Sequence, residues 1–86
     1  MSKGMEIARR AKEQLTELTD LRADTVSRLI KTTEGWQVDV EMIEMKRIPD
    51  SNDVLATYET TLDDEGNVLN YRRTRRYYRG DSMEAE

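Results

Sequence analysis

The sequence predicts an α+β domain: an N-terminal helix packed on a three- or four-stranded antiparallel meander, two layers in all. Three observations lead there. Apolar residues recur at helical spacing over residues 3–19, strand-like alternation begins at Trp36, and turn-forming loops separate the strand-like runs. With 86 residues there is room for one domain, expected over 1–80, followed by an acidic tail at 81–86 that lacks periodicity and is expected to fray.

In the helix, Ile7, Ala8, Ala11, Leu15 and Leu18 share one face, and Ile7, Ala11, Leu15 and Leu18 are expected to be buried against the sheet. Ser2 is placed to cap its N-terminus, and Glu6 and Arg10 are spaced for an i,i+4 ion pair. Residues 20–25 break the pattern and read as a loop. Val26–Lys31 fits a strand or a helical turn; the strand is preferred because Thr32-Thr33-Glu34-Gly35 then forms a hairpin loop into a stronger strand.

In that stronger strand Trp36, Val38, Val40 and Met42 alternate with Gln37, Asp39 and Glu41. Ile43 and Met45 fall on the opposite parity, a phase slip that suggests a bulge or a strand covered on both faces. Pro49 ends the run, and Asp50-Ser51-Asn52-Asp53 has turn chemistry. Val54–Leu62 is a third strand with Val54, Ala56, Tyr58 and Leu62 on one side. Asp63–Asn67 is a hairpin loop, and Val68–Tyr78 is the last strand.

Composition narrows function. Apolar residues make up 36% of the chain and charged residues 37%, so the core is thin. With no Cys and no His, the chain lacks disulfides, thiolate metal sites, the commonest general base and the commonest transition-metal ligand. Its serines sit in no nucleophile elbow, and its four glycines are isolated, so no phosphate loop forms. An all-carboxylate Mg²⁺ or Ca²⁺ site stays open in principle. Asp63, Asp64, Glu65 and Asn67 nevertheless lack the spacing of an EF-hand loop and read as a hairpin turn. No catalytic residue, metal ligand or cofactor is assigned. The Met1-Ser2-Lys3-Gly4 start leads into charged sequence and no stretch approaches a membrane span, so a cytoplasmic protein is expected.

The charge distribution is uneven. Nine acids against two bases occupy residues 39–65, whereas residues 72–79 hold five arginines and no acid. In a regular strand Arg72 and Arg76 point to one side, and Arg73, Arg75 and Arg79 to the other. Three readings fit: protection of a sheet edge, with the arginines pairing the chain's many acids; a protein-docking surface made of Arg72, Arg73, Arg75, Arg76, Tyr77, Tyr78 and Arg79; or a nucleic-acid surface with tyrosines for stacking. The net charge of −4 argues against nucleic acid.

Three stretches are similar to a known family. They are Ala8–Leu15; Gly35–Glu41 running on to Arg47–Asp50 and Asp53–Glu59; and Leu62-Asp63 through Gly66 to Tyr71–Tyr77 and Arg79-Gly80. In these the chain resembles the gas vesicle protein O family. The resemblance implies a non-enzymatic accessory role in gas vesicle formation. It would act by assisting assembly of the shell with other gas vesicle proteins or by affecting expression of the gene cluster through nucleic acid or a transcription factor. It supplies no binding residues. Haloarchaeal members tend to carry extra acidic N-terminal sequence, absent here, which points to a non-halophilic bacterium. The element order also resembles PepSY-type domains, which would imply a small inhibitory module. The direct partner and the oligomeric state are not legible in the sequence.

Overall fold

The computed structural model describes residues 2–80. Helix α1 spans Lys3–Thr19, opened by the Ser2 hydroxyl accepting from the Met5 N–H at 3.2 Å. It ends at Asp20 in a left-handed conformation, whose N–H returns to the Thr16 carbonyl at 2.9 Å. Four strands follow as an antiparallel meander in sequence order: β1 Arg22–Lys31, β2 Gly35–Met45, β3 Val54–Asp63 and β4 Val68–Tyr78. A short 3₁₀ turn at Asp50–Asn52 follows the cis Ile48–Pro49 bond.

The core lies between α1 and one side of the sheet. Ile7, Ala11 and Leu15 meet Val38, Val40, Met42 and Leu62, all fully buried, with Ala23, Val26, Trp36, Tyr58 and Val68 around them. The period-2 parity therefore holds in β2 as far as Met42 and along β3. Leu18 is the exception on the helix, 54% exposed although it shares the apolar face. The helix packs on β1 and β2.

The β3–β4 hairpin grips the other flank of α1. Gln14 donates to the Gly66 carbonyl at 2.7 Å and accepts from the Val68 N–H at 3.0 Å, while Arg10 reaches the Gly66 carbonyl and the Asn67 side chain. Arg10 is thus committed to the hairpin, and the expected Glu6–Arg10 pair is replaced by Arg9 bridging Glu6 and Glu13. Gly66 has φ +90, and a Cβ there would lie 2.7 Å from Arg10 Nε and 3.0 Å from Ile7 Cδ1. Asp63 builds the turn by accepting from the Glu65 and Asn67 N–H groups, both at 2.9 Å.

β1 begins at Arg22, so the loop expected over residues 20–25 is mostly strand. Asp24 and Ser27 are extra residues relative to β2, and these two bulges erase the alternation by which a strand is recognised. Glu44 is the extra residue of β2, which accounts for the phase slip at Ile43 and Met45. Leu69 and Thr74 are the extra residues of β4. The acidic tail at 81–86 lies outside the described residues.

Candidate functional site

β4 is an outer strand, and the bulge at Thr74 resets the sides of its arginines. Cross-strand pairing sets Arg73 opposite Tyr58 and Arg76 opposite Ala56, on the helix side of the sheet. Arg72 pairs with Glu59 and Arg75 with Thr57, on the open side. The expected grouping of Arg72 with Arg76, and of Arg73 with Arg75, is therefore wrong: one inserted residue inverts the parity downstream of it.

On the helix side the arginines converge on one carboxylate. Arg73 reaches both Glu44 oxygens at 3.0 Å, Arg76 Nε lies 3.0 Å from Oε1, and the Tyr58 hydroxyl donates to Oε2 at 3.3 Å. Two guanidinium groups share a single acid, and the bulge places that acid within their reach. Burial, reinforced by Glu44, raises the Tyr58 phenol above its ordinary value. The Tyr71 ring lies 6.1 Å from that of Tyr58.

On the open side, Arg72 pairs with Glu59 at 3.3 Å and Arg75 stacks over the Tyr77 ring at 4.5 Å. The Tyr77 hydroxyl donates to Glu41 Oε1 at 2.6 Å, and Thr57 donates to the same oxygen at 2.6 Å. Ser27, the bulge residue of β1, donates to Glu41 Oε2. Burial pushes the Glu41 carboxyl up, but the three hydroxyls and the Arg75 charge outweigh it and hold the group below the usual range. Burial and then Glu41 drive the Tyr77 phenol well above its ordinary value. Two residues away in β2, Asp39 is also buried, and its Oδ1 has no hydrogen-bond partner among the described residues. Burial, reinforced by Glu59, raises its carboxyl.

Arg79, just beyond β4, ties the sheet across its width. Its Nε reaches Asp53 Oδ2 at 3.2 Å and its other nitrogens reach Asp24 in β1 at 3.3 Å. Asp53 is fully buried and also accepts from the Arg47 N–H at 2.8 Å and Lys46 at 3.0 Å. The Arg47 N–H, opposed by burial and aided by Lys46 and Arg79, holds the Asp53 carboxyl low.

Of the seven predicted residues, Arg72, Arg73, Arg75 and Tyr78 are exposed, whereas Arg76, Tyr77 and Arg79 are partly buried in internal contacts. Sequence reasoning missed Glu44, Glu41, Glu59, Asp24 and Asp53 as their partners. Only Glu44 left a signal, the parity slip around it.

A helix on a four-stranded antiparallel meander, with its charged side chains wired to one another across the sheet, is a small α+β domain with a polar outer strand. The chain matches, over residues 1–83, the family model described as gas vesicle synthesis protein GvpO, and it belongs to that family. It is 46% identical over 78 residues to gas vesicle protein O of a Streptomyces species, covering 91% of this chain and 61% of that protein. It is 36% identical to gas vesicle protein O1 of Halobacterium salinarum, covering 87% of this chain and 63% of the relative. For gas vesicle protein O of Haloferax mediterranei the identity is also 36%, covering 87% and 54%. The chain thus spans between half and two thirds of the length of these relatives. The bacterial relative, like the archaeal ones, extends beyond the matched region, so added length does not separate halophiles from other members. No solved structure matches the chain, and the PepSY likeness has no support.

Proposed function

We propose that this chain is a non-catalytic accessory protein in gas vesicle formation, acting in the cytoplasm by binding other gas vesicle proteins through β4. The family's description as a gas vesicle synthesis protein supports the process. Among the described residues no helix is long and apolar enough to cross a membrane. The observation that carries the binding mode is the exposure of the β4 arginines: the Arg72 side chain is 76% exposed and that of Arg73 50%, against 33% for Glu59 and 13% for Glu44. A pair as open as Arg72–Glu59 contributes only about 0–1 kcal/mol. A partner's carboxylate therefore replaces Glu59 at little cost, while the planar guanidinium groups offer two parallel hydrogen bonds each.

The test is the triple variant Arg72→Glu, Arg73→Glu, Arg75→Glu in cells that make gas vesicles. Circular dichroism should show a folded protein and vesicle yield should collapse. Normal yield from the folded variant would remove β4 from the mechanism. Tight, sequence-selective DNA binding by the unaltered chain, lost in the variant, would replace protein docking with regulation through nucleic acid.

A further inference from the structure

Four strands at about 4.8 Å spacing make a sheet roughly 14 Å across, and a helix with its side chains is about 10 Å in diameter. One helix therefore roofs about two strands. α1 packs chiefly on β1 and β2 and reaches Leu62 and Val68 at the hairpin end of β3 and β4; farther along the same side, no helix lies over β3 and β4 among the described residues. There β3 is covered by the long side chains of β4 instead: Tyr71, Arg73, Arg76 and Tyr78 lie opposite Thr60, Tyr58, Ala56 and Val54. The result is a trough beside α1, with a ladder of tyrosine and arginine as its outer wall.

Two properties mark this trough as unfinished. The first is apolar exposure: Tyr71 is 38% exposed, Tyr78 40% and Met45, opposite Val54 in the same row, 42%. Leu18 adds to it at 54%, one turn beyond Gln14 on the helix flank that faces the β3–β4 hairpin. The second is charge: among the described residues, Arg73 and Arg76 share the single carboxylate of Glu44, two positive charges to one negative on this wall. Glu44 is itself only 13% exposed, so a partner meets the arginines and not the acid.

Deepening the docking function proposed above, and resting on it, we propose that this trough receives an acidic amphipathic helix from a partner protein. That helix lies beside α1 at the 8–10 Å spacing of packed helices. Its apolar stripe covers Leu18, Tyr71, Tyr78 and Met45, and its flanking Asp or Glu residues meet Arg73 and Arg76. An arginine–tyrosine wall beside an apolar strip suits such an occupant, because both residue types concentrate binding energy at interfaces.

A photo-crosslinking amino acid such as p-benzoylphenylalanine, installed at Tyr71 or Tyr78 and separately at Asn70 on the open side, tests this in vesicle-forming cells. Crosslinks from Tyr71 and Tyr78 are expected to map by mass spectrometry to one segment of another gas vesicle protein. That segment should have apolar residues at three- and four-residue spacing flanked by acids. Arg73→Glu should reduce the crosslink about tenfold, and reversing the facing acid of the partner to Arg should restore it. Crosslinks to a second copy of this chain, to nucleic acid or to a basic segment would overturn the proposal, as would none from either tyrosine. Crosslinking from Asn70 alone would keep the docking function and discard this surface. Silence at all three positions, with normal vesicle yield from the β4 triple variant, would end both.

Discussion

Asp39 and Glu41 stand two residues apart on β2, on the same side of the sheet and 7% and 6% exposed, yet amide substitution should move stability in opposite directions. Glu41 is surrounded by donors: Ser27, Thr57 and Tyr77 all give it hydrogen bonds, and Arg75 adds its charge. Glu41→Gln keeps the shape but turns one acceptor oxygen into an N–H₂ donor facing a hydroxyl, and it removes the charge that strengthens the remaining bonds. Hydrogen bonds to ionised groups are worth about 1.5–3 kcal/mol each and neutral ones about 1 kcal/mol, so the loss should be about 2–4 kcal/mol. At about 4–8 °C per kcal/mol, Tm at pH 7 should fall by roughly 8–32 °C. Asp39 has the reverse problem, a buried charge with one oxygen unpartnered. Asp39→Asn removes that charge and should stabilise the fold by about 0.5–2 kcal/mol at pH 7. The pH dependence differs in sign as well. The depressed Glu41 contributes stability that is present above its unfolded value near pH ~4.3 and lost as pH falls through the folded one, so the Glu41→Gln deficit shrinks in acid. The raised Asp39 costs stability as pH climbs through its folded value, so the Asp39→Asn gain fades below its unfolded value near pH ~3.9. Thermal melts of the three proteins from pH 3 to 8 would check this. An Asp39→Asn variant destabilised as much as Glu41→Gln at neutral pH would refute the reasoning.

Three other outcomes are expected. Leu15→Ala should cost about 2–5 kcal/mol in urea unfolding, whereas Leu18→Ala, on the same helical face but exposed, should cost no more than about 0.5 kcal/mol. Gly66→Ala should lose about 1–3 kcal/mol, because the positive φ is strained for alanine and the added methyl meets Arg10 and Ile7; unchanged stability would mean the hairpin does not clamp the helix. Asp53 and Asp63 are both held below their ordinary values, so their stabilisation is present above pH ~4 and lost as pH falls through their folded values. Asp53→Asn should therefore lower Tm at pH 7 and flatten the acid limb of the stability curve; an unaltered acid limb would contradict this.

The helix, the three later strands and their turns were legible because each rests on local signals: a Ser2 cap, the Trp36–Met42 alternation, the Asp63–Asn67 turn. Reading the buried side of β2 and β3 from parity alone also worked, since those strands are regular where the helix sits on them. What parity cannot carry is an inserted residue. Asp24 and Ser27 hid the first half of β1, and Thr74 exchanged the sides of Arg73 and Arg76 relative to Arg72 and Arg75. Leu18 shows a different limit, because helical phase says which way a side chain points and not whether anything lies beneath it. The ionic partners of the arginines were illegible for a third reason: Arg73 meets Glu44 across 29 positions and Arg79 meets Asp24 across 55, distances over which composition predicts pairing but not partners.

The bulges have a consequence for how the molecule behaves in company. Strand-on-strand polymerisation needs a straight, evenly spaced edge that the next molecule can copy, one residue for one residue. Here the two rims are β1 and β4, and each is interrupted twice, at Asp24 and Ser27 and at Leu69 and Thr74. No run of the repeat survives long enough on either rim to serve as a template. Copies of the domain crowded together would stay separate particles, unable to knit into a common sheet.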